Sequence, residues 1–157
     1  LAIWNISRHP HVRKQLQEEL DRAEKTGAIP SRDSIVSYDE AYQLPYLGAC
    51  IRESLRYSCS ITQIARKAPA GTGLTLHGIY IPPGVSVSTS AWIIGRDKAL
   101  YGEDAYEFNP SRWTEASPEK FKRMEALDFV FGHGARRCLG RHVALVELWK
   151  CVAEVSG

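Results

Sequence analysis

Three features of the sequence predict a mainly α-helical protein with a small antiparallel β-sheet. Two segments opened by proline, from Pro10 and from Pro45, repeat apolar residues every three or four positions, the period of one helix face. Between residues 74 and 90 the pattern changes to short β-type runs separated by strong turn signals. A glycine-rich stretch over residues 129–140 then gives way to a last helical segment over 141–155.

The elements follow in order. Leu1, Ile3, Trp4 and Ile6 suit the last two turns of a helix that stops at His9, because Pro10 disfavours helix at the residue before it. Pro10 suits the first position of a new helix. There Val12, Leu16, Leu20 and Ala23 share one face, Arg13, Lys14, Glu18, Glu19 and Asp21 take the other, and Gly27 ends the run. Residues 28–40 read as a polar connection. Pro45 opens a helix over 45–57 with Leu47, Ile51 and Leu55 at helical spacing. Leu74-Thr75-Leu76, Ile79-Tyr80-Ile81 and residues 85–89 are the strand candidates, divided by His77-Gly78 and Pro82-Pro83-Gly84, and they predict one small sheet. A short helix fits 91–98. Residues 101–114 carry Tyr101, Tyr106, Phe108 and Trp113 without either period, which predicts ordered irregular structure packed on something else.

Composition narrows the class. The 157 residues are 24% charged and 44% hydrophobic with 12 Gly and 8 Pro, values that exclude collagen-like, low-complexity and disordered chains. A single domain is the default at this size, with about 68–70% of the unfolded surface available for burial. A net charge of +2 is too weak a field to indicate nucleic acid. No apolar run reaches the roughly 18 residues a bilayer span needs. The opening residues lack an initiator Met and the layout of a signal peptide, so they read like the interior of a longer chain. Cys50, Cys59, Cys138 and Cys151 show no C-x-x-C spacing and no zinc-ribbon pattern; reduced thiols are the expectation.

Three constellations carry possible chemistry. Glu53 and Arg56 stand at i and i+3 of one helix and can pair, although such a pair alone is an ordinary surface feature. Arg112, between Pro110 and Trp113, brings five donors that can hold a carboxylate bidentately. The third runs Phe131-Gly132-His133-Gly134-Ala135-Arg136-Arg137-Cys138-Leu139-Gly140 and sets a lone Cys just before a helix. Helix N-terminal amides and neighbouring guanidiniums favour a thiolate, and Gly132, Gly134 and Gly140 permit close backbone approach to a flat ligand.

Phe131-x-x-Gly134-x-Arg136-x-Cys138-x-Gly140 resembles the haem-binding signature of the cytochrome P-450 superfamily, the haem-thiolate monooxygenases. Glu53-x-x-Arg56 is similar to their paired motif, and Phe108-x-Pro110-x-Arg112-Trp113 to their meander. The resemblance runs from Leu1 to about Val155 and implies the proximal, haem-thiolate half of that fold, with a eukaryotic, fungal-like flavour. It implies haem b with Cys138 as the axial iron ligand, Arg136 on a propionate and Phe131 beside the sulfur. Gly132 and Gly140 line the loop. Arg66 supplies a further propionate contact, and Ile61, Thr62 and Gln63 face substrate. Glu53, Arg56 and Arg112 form an internal network.

Two departures accompany the match. Tyr57-Ser58-Cys59-Ser60-Ile61 lacks the proline-rich turn common after this helix, and Ser111 replaces an acidic meander residue. By alignment the oxygen-activating Thr falls upstream of Leu1, so an isolated chain of these residues is expected to be catalytically silent and poorly soluble or molten. The partners implied are an NADPH-dependent flavoprotein reductase, docked on Lys120, Lys122, Arg123, Arg137 and Arg141, and a small lipophilic organic substrate. The endoplasmic reticulum membrane is the location implied for a full-length parent. A truncated remnant or partner-binding piece without haem is the competing expectation.

Overall fold

The computed structural model describes residues 1–31, 33–61 and 63–157, and it is mainly helical with two small antiparallel sheets. Helix α1 (Ala2–Arg8) ends where Pro10 forbids continuation, and α2 (Pro10–Lys25) begins with that proline in its first turn. Val12, Leu16, Leu20 and Ala23 form the buried face of α2. Thr26 closes it by donating its hydroxyl to the Arg22 carbonyl at 3.0 Å, and Gly27 turns the chain at φ +72°.

The connection read as polar over 28–40 runs into a short helix, α3 (Tyr38–Tyr42), opened by a capping box. Ser37 Oγ accepts the Glu40 amide at 3.3 Å, and the Glu40 carboxylate accepts the Ser37 amide at 2.8 Å. The Ser37-x-x-Glu40 spacing carried that signal in the sequence.

Helix α4 (Pro45–Tyr57) is the central element, buried on nearly every side. Pro45 opens it, and the carboxylate of Glu19, on α2, accepts the amides of Tyr46 and Leu47 at 2.8 Å each. That contact satisfies two of the donors a helix start leaves free and places negative charge at its positive end. Leu47, Cys50 and Ile51 pack with Ile6, Val12, Leu16, Phe108, Trp149 and Val152 in the main core.

The β region differs from the single sheet expected over 74–90. Strand β1 (Ile64–Lys67), which sequence reading left out, pairs antiparallel with β4 (Ser86–Thr89), Ile64 opposite Thr89. Strands β2 (Leu74–Leu76) and β3 (Ile79–Ile81) form a separate hairpin, Leu74 opposite Ile81. His77 at φ 50° and Gly78 at φ +79° make its two-residue turn, the left-handed pair such hairpins need.

Short helices α5 (Ala91–Ile94), α6 (Lys98–Tyr101) and α7 (Ser111–Thr114) then frame an irregular segment. Helix α8 (Pro118–Ala126) was not foreseen, although Ser117 caps it and Pro118 stands in its first turn. Its Met124 joins Ala49, Leu100, Tyr101, Ala105 and Trp113 in a second core. The cysteine-bearing stretch stays irregular apart from a 3-10 turn, Gly134–Arg136, and leads into α9 (Arg141–Ser156). No helix among the described residues is long and apolar enough to cross a membrane.

Candidate functional site

Two arrangements stand out: a saturated polar network on α4 and an open thiol-bearing loop ahead of α9. The network is centred on Glu53, whose carboxylate is fully buried. Oε2 accepts Arg56 Nε at 2.8 Å and the indole Nε1 of Trp113 at 2.9 Å. Oε1 accepts Arg56 Nη2 at 2.7 Å, the Asn109 amide at 2.8 Å and Arg112 Nε at 3.1 Å. The i, i+3 spacing makes the Glu53–Arg56 pair local; chain folding brings in the rest.

Both guanidiniums find carbonyls for their remaining donors. Arg56 Nη1 donates to Ala105 O at 2.7 Å and to Gly95 O, and Nη2 donates to Glu107 O at 2.8 Å. Arg112 donates to Tyr101 O at 2.6 Å and Asp104 O at 2.8 Å, and grips the Asp104 carboxylate bidentately at 2.9 and 3.0 Å. Burial works against the charge on Asp104, but hydrogen bonds from Asn109 and Arg112 and the guanidinium's charge outweigh it and hold its pKa below the ordinary carboxylate range. Buried charges this well paired are tolerable; removing one partner strands the others.

This network staples the irregular segment 101–114 to α4. Sequence reading singled out Glu53, Arg56 and Arg112 but missed Trp113, Asn109 and Asp104. The indole lies 60 residues from its carboxylate, and nothing local announces that partnership.

The loop is built differently. Asp128 Oδ1 accepts the Val130 amide at 3.0 Å and starts the turn. Burial pushes the pKa of Asp128 up, against the Val130 amide and the charges of Arg141 and Arg137. Gly132, at φ +70°, and Gly134, at φ +64°, give the loop backbone turns that side chains resist. A Cβ on Gly132 would stand 3.6 Å from Ile64 Cδ1, which puts β1 alongside the loop. The Cys138 amide donates to Phe131 O at 2.9 Å, closing the loop across its own base, and the Ala144 amide then takes Gly140 O at 2.9 Å as α9 begins.

This folding leaves Cys138 exposed at the start of a 16-residue helix, and Leu139 is 99% exposed beside it. Cys50 is the opposite case, on the buried face of α4, where desolvation, helped by Glu19 and Glu53, pushes its thiol pKa well up. Cys59 is raised by burial against the opposing charge of Arg96. Arg136 is exposed, and no ion pair holds it among the described residues. Phe131 stacks under the Arg141 guanidinium at 6.0 Å and lines an apolar groove of about 560 Å³ with Leu1, Ile3, Leu55, Ala144 and Leu148.

The other sequence-predicted residues are less gathered. Arg66 is exposed on β1, and its Nη1 donates to the neighbouring Ala65 carbonyl at 2.8 Å. Ile61 is exposed, and Gln63 donates its side-chain amide to Ser88 Oγ at 2.6 Å. Thr62 lies outside the described residues. Of the basic group, Lys122, Arg137 and Arg141 line one cavity of about 560 Å³, Lys120 and Arg123 do not, and Arg52 joins them unforeseen.

Comparison with known proteins gives a consistent picture. A family model described as Cytochrome P-450 matches residues 1–155. The chain is 54% identical over 154 residues to the cytochrome P-450 monooxygenase ustC of Aspergillus flavus, covering 98% of this chain and 38% of that protein. It is 37% identical over 149 residues to a cytochrome P-450 monooxygenase of Aspergillus terreus, covering 95% and 30%. It is 39% identical over 141 residues to the cytochrome P-450 monooxygenase gsfF of Penicillium aethiopicum, covering 90% and 27%. The chain therefore spans well under half the length of these relatives.

Proposed function

The chain belongs to the cytochrome P-450 family, and from that premise we propose that it supplies the proximal half of a haem-thiolate monooxygenase site, with Cys138 as the axial ligand of haem iron. The observation that carries this reading is the exposed Cys138 thiol at the start of α9, on a loop closed by the Cys138–Phe131 backbone bond. The donor set fits the group: one soft sulfur ligand, glycines that clear space beside it, an exposed guanidinium and an adjoining apolar groove.

Each residue then has a role. Cys138 donates the thiolate. Arg136 binds a propionate by a charge-assisted contact, and Arg66, on the strand beside the loop, is placed to bind another. Phe131 packs beside the sulfur and restricts water there. Gly132 and Gly140 let the loop approach a flat ring, and Ile61, Thr62 and Gln63 border the substrate. Glu53, Arg56 and Arg112 touch no reacting atom and hold the segment 101–114 against α4. Bound haem supplies the insertion of one oxygen atom of O₂ into an organic substrate, the other atom leaving as water.

The substrate is a small lipophilic molecule, as the apolar groove favours. Electrons come from NADPH through a flavoprotein reductase whose acidic surface meets Lys122, Arg137 and Arg141, a contact that sets encounter rate more than affinity. The endoplasmic reticulum membrane is the proposed location of a full-length parent.

The test is haem reconstitution followed by the reduced carbon monoxide spectrum, with Cys138→Ala as control. A strongly red-shifted Soret band that the control lacks is the expected result. A band unchanged in Cys138→Ala would overturn the ligand assignment. Absence of any haem uptake would favour the remnant reading, in which the chain binds partners without haem.

A further inference from the structure

The cavity that gathers Arg52, Lys122, Arg137 and Arg141 also has an aromatic lining. The ring centroids of Tyr38 and Tyr42 lie 5.5 Å apart, and those of Tyr42 and Trp149 5.7 Å apart, so α3 and α9 form a row of rings. The Arg52 guanidinium lies over the Trp149 ring at 5.7 Å, which fixes a cation beside that row. Trp149 is 3% exposed, and its indole Nε1 is a buried donor with no hydrogen-bond partner, a cost the fold leaves uncompensated. At about 560 Å³ the cavity has the size of a small-molecule site.

The charges around it do not balance. The cations come from α4, α8, the cysteine loop and α9, and the acids lining the same cavity are Glu125 and Asp128. Glu125 meets Arg52 Nη2 only loosely, at 3.8 Å, and burial works against the charge on Asp128. Arg56 and Arg112 end their donors on carbonyls and carboxylates, whereas among the described residues none of these four cations donates a hydrogen bond to a protein acceptor. Cations gathered around one cavity repel one another, and an anion among them relieves that repulsion.

We propose that this cavity binds a flat aromatic ring carrying a phosphate group, a mononucleotide in chemical class, with the ring against Tyr42 and Trp149 and the phosphate among Arg52, Lys122, Arg137 and Arg141. A phosphate suits the site better than a carboxylate, because it carries more charge and its oxygens match the forked donors of several guanidiniums at once. The inference goes beyond the haem reading, since it needs neither Cys138 nor a cofactor at the loop. Lys122, Arg137 and Arg141 are also the cations proposed above to meet a reductase, so the two would compete for them.

The experiment is isothermal titration of the chain with AMP, FMN, adenosine and inorganic phosphate. AMP or FMN binds about tenfold more tightly than adenosine or phosphate, and salt weakens the binding. Comparison of the two nucleotides tells a purine site from a flavin site. Lys122→Gln with Arg137→Gln, two exposed positions, lowers nucleotide affinity about tenfold. Tyr42→Ala lowers it about fivefold and leaves phosphate binding unchanged, while Tyr42→Phe binds like wild type. Lys14→Gln on the exposed side of α2 serves as a control that keeps binding, and far-UV circular dichroism verifies that each variant is folded. Cys138→Ser also keeps binding, so failure of the haem reading leaves this result intact.

Four outcomes overturn the inference: no binding of either nucleotide, adenosine binding as tightly as AMP, phosphate binding as tightly as both nucleotides, or equal loss in Lys14→Gln and the double variant.

Discussion

The network around Glu53 and the loop around Cys138 lie on opposite ends of the same problem, how a protein handles charge beside a core. Around Glu53 every charge meets a partner from this chain: five donors converge on one carboxylate, and two guanidiniums end on carbonyls and Asp104. Around Cys138 the polar and apolar groups face outward: an exposed thiol, an exposed Arg136 and a fully exposed Leu139. The first region is finished by folding. The second is shaped by folding and, on the proposed reading, finished by a ligand. Substitutions in the network should therefore act on stability whatever is bound, and substitutions in the loop should act on ligand binding.

Glu53→Ala is expected to have the largest effect. It leaves Arg56 and Arg112 buried without their common carboxylate. Breaking a buried pair from one side costs about 3–5 kcal/mol, a large fraction of the roughly 5–15 kcal/mol that holds a domain together. Urea denaturation followed by far-UV circular dichroism should show the cooperative transition lost or moved to very low denaturant. A shift under about 1 kcal/mol would mean the network is less desolvated than its geometry states.

Trp113→Phe tests the member that sequence reading missed. The ring contacts with Tyr101 and Phe121 survive, while the indole donor to Glu53 Oε2 is removed. A hydrogen bond to a charged group is worth about 1.5–3 kcal/mol, and the low end applies because Oε2 keeps Arg56 Nε. Retention of wild-type stability would show that the indole only fills space.

What the sequence made legible in these regions follows from the range of the interactions. Glu53 and Arg56 are neighbours on one helix turn, and the loop signature is contiguous, so both could be read in one dimension. Strand β1 was invisible because Ala65, Arg66 and Lys67 show no apolar alternation, and its strand character comes from pairing with β4 twenty residues away. The expected single sheet became two because residues 85–89 pair back to β1 and leave β2 and β3 to each other. Helix α8 had its cap and proline in view at Ser117 and Pro118, but only Met124 is buried along it, which left little apolar period to detect. Placing Lys122, Arg137 and Arg141 around one cavity with Arg52 depended on tertiary packing throughout.

Asp128→Asn probes the seam between the two regions, with a smaller expected effect. Burial raises the folded-state pKa of Asp128 above its unfolded value near 3.9. Such a carboxylate imposes no penalty when protonated in both states, and an increasing one as pH rises through the window between the unfolded and folded pKa. Wild type should lose stability relative to the Asn variant over that window and hold a constant deficit above it. The Asn oxygen keeps the acceptor for the Val130 amide. Urea midpoints of both proteins from about pH 4 to pH 7 measure the difference; a gap that narrows with rising pH would reverse the sign and refute the burial argument.

Leu139→Gln carries the smallest effect on the chain alone and separates the two regions most cleanly. At 99% exposure Leu139 contributes almost nothing to the core, so the ligand-free chain should change by no more than about 0.5 kcal/mol. Once a flat apolar group sits against the loop, the same side chain, next to Cys138, is covered. Burying a leucine is worth about 1.5–3 kcal/mol, which predicts haem affinity about tenfold weaker or more in the variant. Urea denaturation without haem and a haem titration on the same preparation give both numbers. A variant destabilised without haem would place Leu139 in the folded core. One with unchanged haem affinity would mean that the ligand does not cover Leu139, and the loop's outward-facing groups would then need a different explanation from the one that completes the comparison with Glu53.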